Sequence, residues 1–509
     1  MQYALLVLLV APALASLIAA VSSPQQSAAD HRLGFFLSLL VAALGLPLLW
    51  NAYPALSLPW FPLIGTGATV HLSLASDGLS AWLAQLVLWL TPAAILGARA
   101  TVGERMGAFV TAVLAMEALM LGALFSRDLV VFYMCFEGML IPMAVLIWLF
   151  GGHDRLSAAL WFVLYTMAGS IPLLLAIWWL AAQAGTVELA ALPAFIAKLP
   201  ADQQGWLFLA FVLAFAVKVP LIPLHGWQAR TYAETPGPAV ALLAGAMAKL
   251  GIYGFLRFVL PLFPVLSAEH ANTFIVLGLI GTVGGALVAI AQDDAKRMLA
   301  YSSLSHLSLV MVGVFTFQTD AMHGTAVQMV AHGLSVGALF LLVGWVEAKS
   351  GTYGVDDFGG LSSRAPLLAV LFVIAALASA ALPGTANFVG EFALLLGMWK
   401  SDPWIAAIAG LSVILGVVYL LTLIQRWFYG RVHASSEPVT EISPAVALAV
   451  LPLLFGAFAF GLFPGVITRT AGATCDALAR PAREAAAARK PAAPIPQAPA
   501  APAPAAESH

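Results

Sequence analysis

Charge is what this chain has least of. Only 9% of its 509 residues are Asp, Glu, Lys or Arg, whereas a soluble globular domain carries about 25%. A chain this poor in charge and 62% hydrophobic cannot keep its surface in water. That excludes an ordinary soluble enzyme and, with no basic patch, a nucleic-acid binder. Cysteine is scarce too. Cys135 and Cys475 belong to no CxxC or Cys/His pattern, so neither a disulfide framework, an iron–sulfur site nor structural zinc is expected. The start, Met1-Gln2-Tyr3 before an apolar run, lacks the basic n-region of a signal peptide. Residues 2–22 are therefore expected to be a retained first helix.

What the chain does have is long apolar runs. Crossing a bilayer as a helix takes about 20 apolar residues. Runs of that length recur from 2–22 to 443–468 and predict an all-α polytopic membrane protein with about fourteen transmembrane helices. The Pro/Gly-punctuated stretch from Asn51 to Gly78 reads as an ordered extramembrane loop. From residue 471, and most plainly beyond Pro481, the sequence is Ala/Pro-rich, cannot bury a core and is expected to be disordered. Arg105, Arg155, Lys296 and Arg297 belong to the loops on one side, whereas the N-terminal side has Arg127, Lys198, Arg257 and Lys400 before the tail. The excess lies opposite the N-terminus, so both termini are expected outside the cytoplasm.

Two spans are interrupted by proline, one at Pro220 and Pro223 and the other at Pro383-Gly384. Proline removes an N–H and clashes with the preceding turn, so each helix should break near mid-membrane. Paired breaks in two halves, each close to a buried charge, are the mark of a transporter built from repeats.

Four ionisable side chains stand inside the apolar runs: Glu137, Lys218, Lys249 and Glu391. A charge at the bilayer centre costs roughly 2.5–3.5 kcal/mol even on the lenient insertion scale. Keeping four, two of each sign, points to ion or proton translocation. Glu137 is the natural partner of Lys218. At about 8 Å and an effective dielectric near 20 such a pair is worth roughly 2 kcal/mol, which is about 1.5 pKa units. That is enough to load or unload the lysine as the carboxylate moves; a static ion pair fixing helix packing is the alternative. Lys249 has no charge within ten residues on its N-terminal side and needs a partner from another helix or from water.

His306 and His332 change charge near neutral pH, which suits a proton relay, although each taken singly is more often a hydrogen-bonded core histidine. Tyr301, Ser302, Ser303, Ser305 and Gln328 lie beside them and could hold ordered water. Glu391, after the second break, is a candidate terminal proton donor or acceptor. Glu117 and His225 are secondary candidates, the latter lining the break or anchoring the chain with Trp227. The charges of Gln292 to Arg297 are expected to be solvated. No carboxylate or second histidine sits at metal-ligand spacing.

Six motifs, in order over about residues 75–465, together resemble one family. They centre on Phe136-Glu137-Gly138, Lys218 to Trp227, Leu243 to Gly254 around Lys249, Lys296 to His306, Ala331-His332-Gly333 and Pro383 to Glu391. The chain resembles the antiporter-like membrane subunits of respiratory complex I (NADH–quinone oxidoreductase). Among three sister types it is similar to the chain-4 type, chain M, which has a glutamate where Glu391 stands. One departure follows Trp227, where the family's Leu-Pro-Asp-Ala-His run is replaced and Arg230, Tyr232 and Glu234 occur.

The resemblance implies two inverted five-helix repeats, each with a broken helix. They would span 105–264 and 265–430, after three N-terminal helices in 1–104 and before a last helix in 431–470 and a tail in 471–509. It also implies a proton route from Glu137 and Lys218 through Lys249, His306 and His332 to Glu391. This chain would hold no cofactor, with FMN, iron–sulfur clusters, NADH and quinone in partner subunits. Its lateral neighbours would be the two sister chains, in a bacterial inner membrane. A subunit of an Mrp-type cation/proton antiporter or of a membrane-bound hydrogenase looks similar in these helices. A passive structural spacer is the reading from another class.

Overall fold

The hydrocarbon core of a membrane offers backbone N–H and C=O groups no partner, so apolar runs satisfy them internally as helices. The computed structural model describes residues 3–21, 27–50, 53–99 and 101–489 and obeys this rule. Among the described residues, twelve helices are long and apolar enough to cross a membrane. The first six are α1 (Ala4–Val21), α2 (Ser27–Gly45), α3 (Gly78–Ala98), α4 (Met106–Phe125), α5 (Leu129–Phe150) and α6 (Arg155–Ala184).

A broken span follows, made of α7 (Ala201–Lys218) and the short α8 (Gln228–Glu234). Then come α9 (Gly237–Leu262), α10 (Ala271–Ile290), α11 (Ala295–Phe315) and α12 (Thr319–Ser350). The second broken span is α13 (Pro366–Ser379) and α14 (Ala386–Ser401), before α15 (Pro403–Phe428) and α16 (Pro444–Leu462). The two broken spans bring the twelve to the number of crossings expected from the sequence.

Helix starts are fixed by side chains that accept the orphan N–H groups of a first turn. Asp77 and Ser80 form a reciprocal capping box at α3. Asp128, Asp294, Asp402 and Ser443 cap α5, α11, α15 and α16. The two breaks close alike. At the first, Pro220 has no N–H to give and Leu221 N reaches back to Ala216 O at 2.9 Å; at the second, Leu382 N reaches Leu377 O at 3.0 Å. Each wide turn satisfies a carbonyl that the interruption would otherwise strand at membrane depth.

The helices are not equally sheltered. The most apolar window is 100% buried within the protein in α9 and α12, but only 33% in α1 and α16. Lys249 on α9 and His332 on α12, both buried, therefore face protein, not lipid.

One face of the bundle carries a hairpin and a surface helix. Here β1 (Leu56–Pro62) pairs antiparallel with β2 (Thr69–Leu74), so the stretch read as an ordered loop is a hairpin; residues 51–52 lie outside the described residues. The same face holds α17 (Ala473–Arg489), which corrects the expectation of a disordered tail from 471. Cys475, Ala479 and Ala482 form its buried stripe. Arg483 Nε donates to Phe317 O at 2.6 Å, and Arg489 pairs with Glu269 at 3.4 Å. Small apolar residues at helical spacing supply a packing face that composition alone hides. Residues 490–509 of the expected tail lie outside the described residues.

A buried charged axis as candidate functional site

The axis exists because two helix backbones touch. A Cβ on Gly333 of α12 would meet Gly245 O of α9 at 2.6 Å, and one on Gly237 would meet Gly344 Cα at 2.7 Å. Only glycine permits this approach, the usual device for close helix contact in membranes. A π-helical turn at Leu243–Met247 then offsets the register just before Lys249, a feature common at functional sites. The result is a direct contact between Lys249 Nζ and His332 Nδ1 at 2.7 Å, with Lys249 Nζ also donating to Ala244 O at 2.5 Å.

Beyond His332 the axis continues on α11. The His332 and His306 rings lie 5.3 Å apart between centroids, and His306 Nδ1 is 2.9 Å from Glu391 Oε1. The order of the two histidines is thus the reverse of the expected one, with His332 beside Lys249 and His306 beside Glu391. A helical sequence fixes which face a residue occupies, not which neighbour it meets. Gln328 Nε2 also donates to Glu391 Oε1 at 3.1 Å. Gly390 makes room for it, since a Cβ there would meet the Gln328 amide oxygen at 2.5 Å.

Lys218 is buried at the end of α7 and its Nζ has no hydrogen-bond partner; the ammonium lies 5.0 Å from the Phe136 ring centroid and 5.9 Å from that of Phe162. Phe136 immediately precedes Glu137, whose carboxyl lines a crevice of about 600 Å³ between α5 and α6 with Tyr133, Trp148 and Leu160. Glu137 Oε1 is unpartnered as well. Glu117 on α4 is wholly buried and faces the Thr91 side chain of α3. His225 sits half-buried in the first break with Nδ1 unpartnered. Of the hydroxyls beside His306, Ser302 binds Tyr419 OH at 2.7 Å and Ser305 donates to Thr282 O at 2.6 Å. Ser303 Oγ is left open, as is Ser308 Oγ farther along the helix, while Tyr301 is half-buried against the apolar core.

Several participants were missed from the sequence. Tyr419 is fully buried within electrostatic reach of Glu391; a lone hydroxyl in an apolar run was its only signal. Asn387 Nδ2 donates to Ser335 Oγ at 2.9 Å and Ala378 O at 2.8 Å, tying the second break to α12. Lys296, expected to be solvated, is buried instead. Its Nζ donates to Ala233 O (3.2 Å), Thr235 O (3.1 Å) and Glu347 (2.6 Å), and so caps the C-terminal end of α8. Arg257, counted as a surface charge, is buried in α9 and paired with Asp77. The departure from the family run is structural here: Arg230 Nη2 donates to Ser157 Oγ at 2.8 Å, Glu234 accepts from Asp154 N at 3.0 Å, and the buried Tyr232 packs on Phe340. Among the described residues, no group of three or more His, Cys, Asp or Glu could hold a metal ion.

Residues 126–416 match the family described as "NADH:quinone oxidoreductase/Mrp antiporter, TM". The chain belongs to this family. NADH-quinone oxidoreductase subunit M of Rickettsia prowazekii is 37% identical over 392 residues, 77% of this chain and 80% of that protein. NADH-quinone oxidoreductase subunit 13 of Thermus thermophilus is 36% identical over 462 residues, 88% and 95% of the two chains. A chain of respiratory complex I from Thermus thermophilus with bound NADH matches with TM-score 0.83 at 34% identity, covering 94% of this chain and 99% of its own. A chain of the Mrp complex from Dietzia sp. gives 0.82 at 22% identity, covering 95% and 99%, a likeness of fold. The resemblance drawn from the six motifs is borne out, and the residues from Glu137 to Glu391 all lie within the matched segment of the family.

Proposed function

We propose that this chain is the antiporter-like, proton-translocating membrane subunit of an NADH:quinone oxidoreductase, of the chain-M type. The observation that carries this reading is the axis itself. Lys249, His332, His306 and Glu391 make successive close approaches deep inside a bundle whose central helices face only protein. Protons would load at Glu137 and Lys218, pass by water to Lys249, cross His332 and His306, and leave by Glu391. Each transfer is between groups that can both hold and release a proton, as a relay requires.

Control would be electrostatic. Changing the charge beside Glu137 alters the proton affinity of Lys218 across a short apolar gap, and each later member retunes the next. The two broken spans fit an inverted pair of five-helix repeats whose breaks flank the axis. The energy would come from quinone reduction in other subunits, which would carry FMN, iron–sulfur clusters and the NADH and quinone sites. Sister antiporter-like chains would flank this one in a bacterial inner membrane, with both termini on the periplasmic side.

The test is NADH-driven proton uptake by inverted membrane vesicles carrying Glu137→Gln or Lys218→Ala, with assembly checked on native gels. Pumping should vanish and coupled electron transfer should fall. A fully assembled variant with an unchanged proton-to-electron ratio would sink the assignment. The likeness in fold to the Mrp chain supports cation/proton exchange as a second reading. Sodium-dependent transport without any redox partner would favour it.

A further inference from the structure

Eight residues beyond Lys249, α9 meets a second buried charge cluster that the relay does not use. Lys249, Tyr253 and Arg257 follow one another at i, i+4 and i+8, so they run along one helix face toward the surface that carries the hairpin. The Arg257 guanidinium lies 5.3 Å from the Tyr253 ring centroid and pairs with Asp77, the capping residue of α3. Arg127 joins them: its Nη2 reaches Asp77 Oδ2 at 3.1 Å, and its Nη1 donates to Ser126 O at 3.1 Å and to Tyr253 OH at 3.3 Å. The C-terminal segment closes the cluster from outside, with Trp82 Nε1 donating to Thr470 Oγ1 at 2.9 Å and Gly78 packed against the Thr470 backbone.

Without a barrier, this stripe would be the short way out of the membrane for a proton on Lys249. Two features stop it. The Tyr253 hydroxyl donates to Leu124 O at 2.8 Å while accepting from Arg127. A carbonyl cannot pass a proton on, and a guanidinium does not give one up, so the hydroxyl is a dead end for hopping. Second, two guanidinium charges face a single carboxylate, which leaves net positive charge across the path. Burial alone would push the Asp77 carboxyl up, but Arg257 and Arg127 outweigh it and hold it below the usual range, so it stays an anion. Fixed arginine charge is an effective barrier to protons in membrane pores.

We propose that Arg127, Arg257 and the locked Tyr253 form a proton seal over Lys249, forcing its proton sideways to His332 instead of straight to the hairpin face. This rests on the reading that Lys249 carries protons. The three act by blocking and positioning, not as members of the relay.

The experiment is the passive proton conductance of vesicles holding the assembled complex, measured without NADH, beside the electron-transfer rate. Arg257→Gln should raise the leak about tenfold, the effect of one unit charge at roughly 12 Å through an effective dielectric near 20. Adding Lys249→Ala should remove that leak. Asp77→Asn, which breaks the ion pairs but keeps both positive charges, should stay tight. If Arg257→Gln does not assemble, Arg127→Gln tests the same charge. Vesicles as tight as the parent, a leak that survives Lys249→Ala, or an equal leak in Asp77→Asn would each overturn the seal. Failure of the relay reading looks different: Lys249→Ala alone would pump normally.

Discussion

Two charge clusters share helix α9, one turn-pair apart, and they are built on opposite rules. Around Lys249 the partners are groups that change protonation, and neighbouring polar atoms are left open: His306 Nε2, Gln328 Oε1 and Asn387 Oδ1 have no partner within the protein. Around Arg257 the charges are permanent, and Asp77, Arg127 and Tyr253 are locked to one another and to backbone carbonyls. A buried polar group without a partner is expensive. Tolerating several of them in one place, while ion-pairing the charges about 12 Å along the helix and leaving Arg257 Nε open there, separates a site that must change state from one that must not.

The sharpest way to break this comparison is to make the relay charge permanent. Lys249→Arg keeps the positive charge but cannot release a proton. Pumping should be lost as completely as with Lys249→Ala, measured as NADH-driven proton uptake. Arg257→Lys, the mirror exchange, should leave pumping nearly intact. Proton transport by Lys249→Arg at the parent rate would show that Lys249 acts as a fixed charge.

How much of this could be read beforehand depended on whether the signal was local. Glu137, Lys218, Lys249 and Glu391 stand out because a charge in an apolar run is conspicuous without any fold. Pro220 and Pro383 announce their breaks for an equally local reason, a missing N–H. The order of His306 and His332 was not legible, since it is decided by the Gly245–Gly333 contact between separate helices. Lys296 looked solvated in a loop of charges, yet its surroundings come from carbonyls of α8 and from Glu347 on α12, far along the chain. Arg257 near the end of an apolar run reads as a surface charge until α3 brings Asp77 beside it. Helix α17 was hidden by its alanine content, which resembles low complexity unless the spacing of Cys475, Ala479 and Ala482 is noticed.

The next largest effect concerns the Lys296–Glu347 pair, which falls on the static side of the comparison. Lys296→Ala strands a largely buried carboxylate and three lost contacts, and should cost about 3–5 kcal/mol, seen as a lowered Tm in detergent. The paired change Lys296→Met with Glu347→Leu should recover most of that stability and retain pumping, because a static ion pair can be replaced by apolar packing. No such apolar replacement should rescue the Lys249–His332 contact. Loss of pumping in the stable double variant would move Lys296 into the relay.

Gly333→Val tests the geometry between the two rules. Its side chain would collide with Gly245 O and with Leu86, for an overpacking penalty of about 1–3 kcal/mol. Parting α9 from α12 should lengthen the Lys249–His332 contact. The proton-to-electron ratio should fall while the seal at Arg257, farther along α9, keeps vesicles tight. An unchanged ratio would mean that the glycine contact does not set the transfer distance.

The smallest effect belongs to a fixed charge outside the membrane. Glu441 accepts from Leu367 N and Leu368 N at 3.0 Å each and from Ile442 N at 2.9 Å, and so caps the first turn of α13, the helix whose far end leads into the second break. Its slight burial pushes the carboxyl up, but the three N–H groups outweigh it and hold it below the usual range. A depressed pKa means that the carboxylate form is favoured by folding. Its contribution is full above the unfolded value of about 4.3 and disappears as pH falls through the lower folded value. Glu441→Gln should therefore cost about 1 kcal/mol at neutral pH, as for a lost helix cap. Thermal unfolding of parent and variant should converge as the pH drops below that window, and pumping should stay the same in both. A Tm difference that is constant across the acid range would mean that the charge at Glu441 contributes nothing and only the shape of its side chain does.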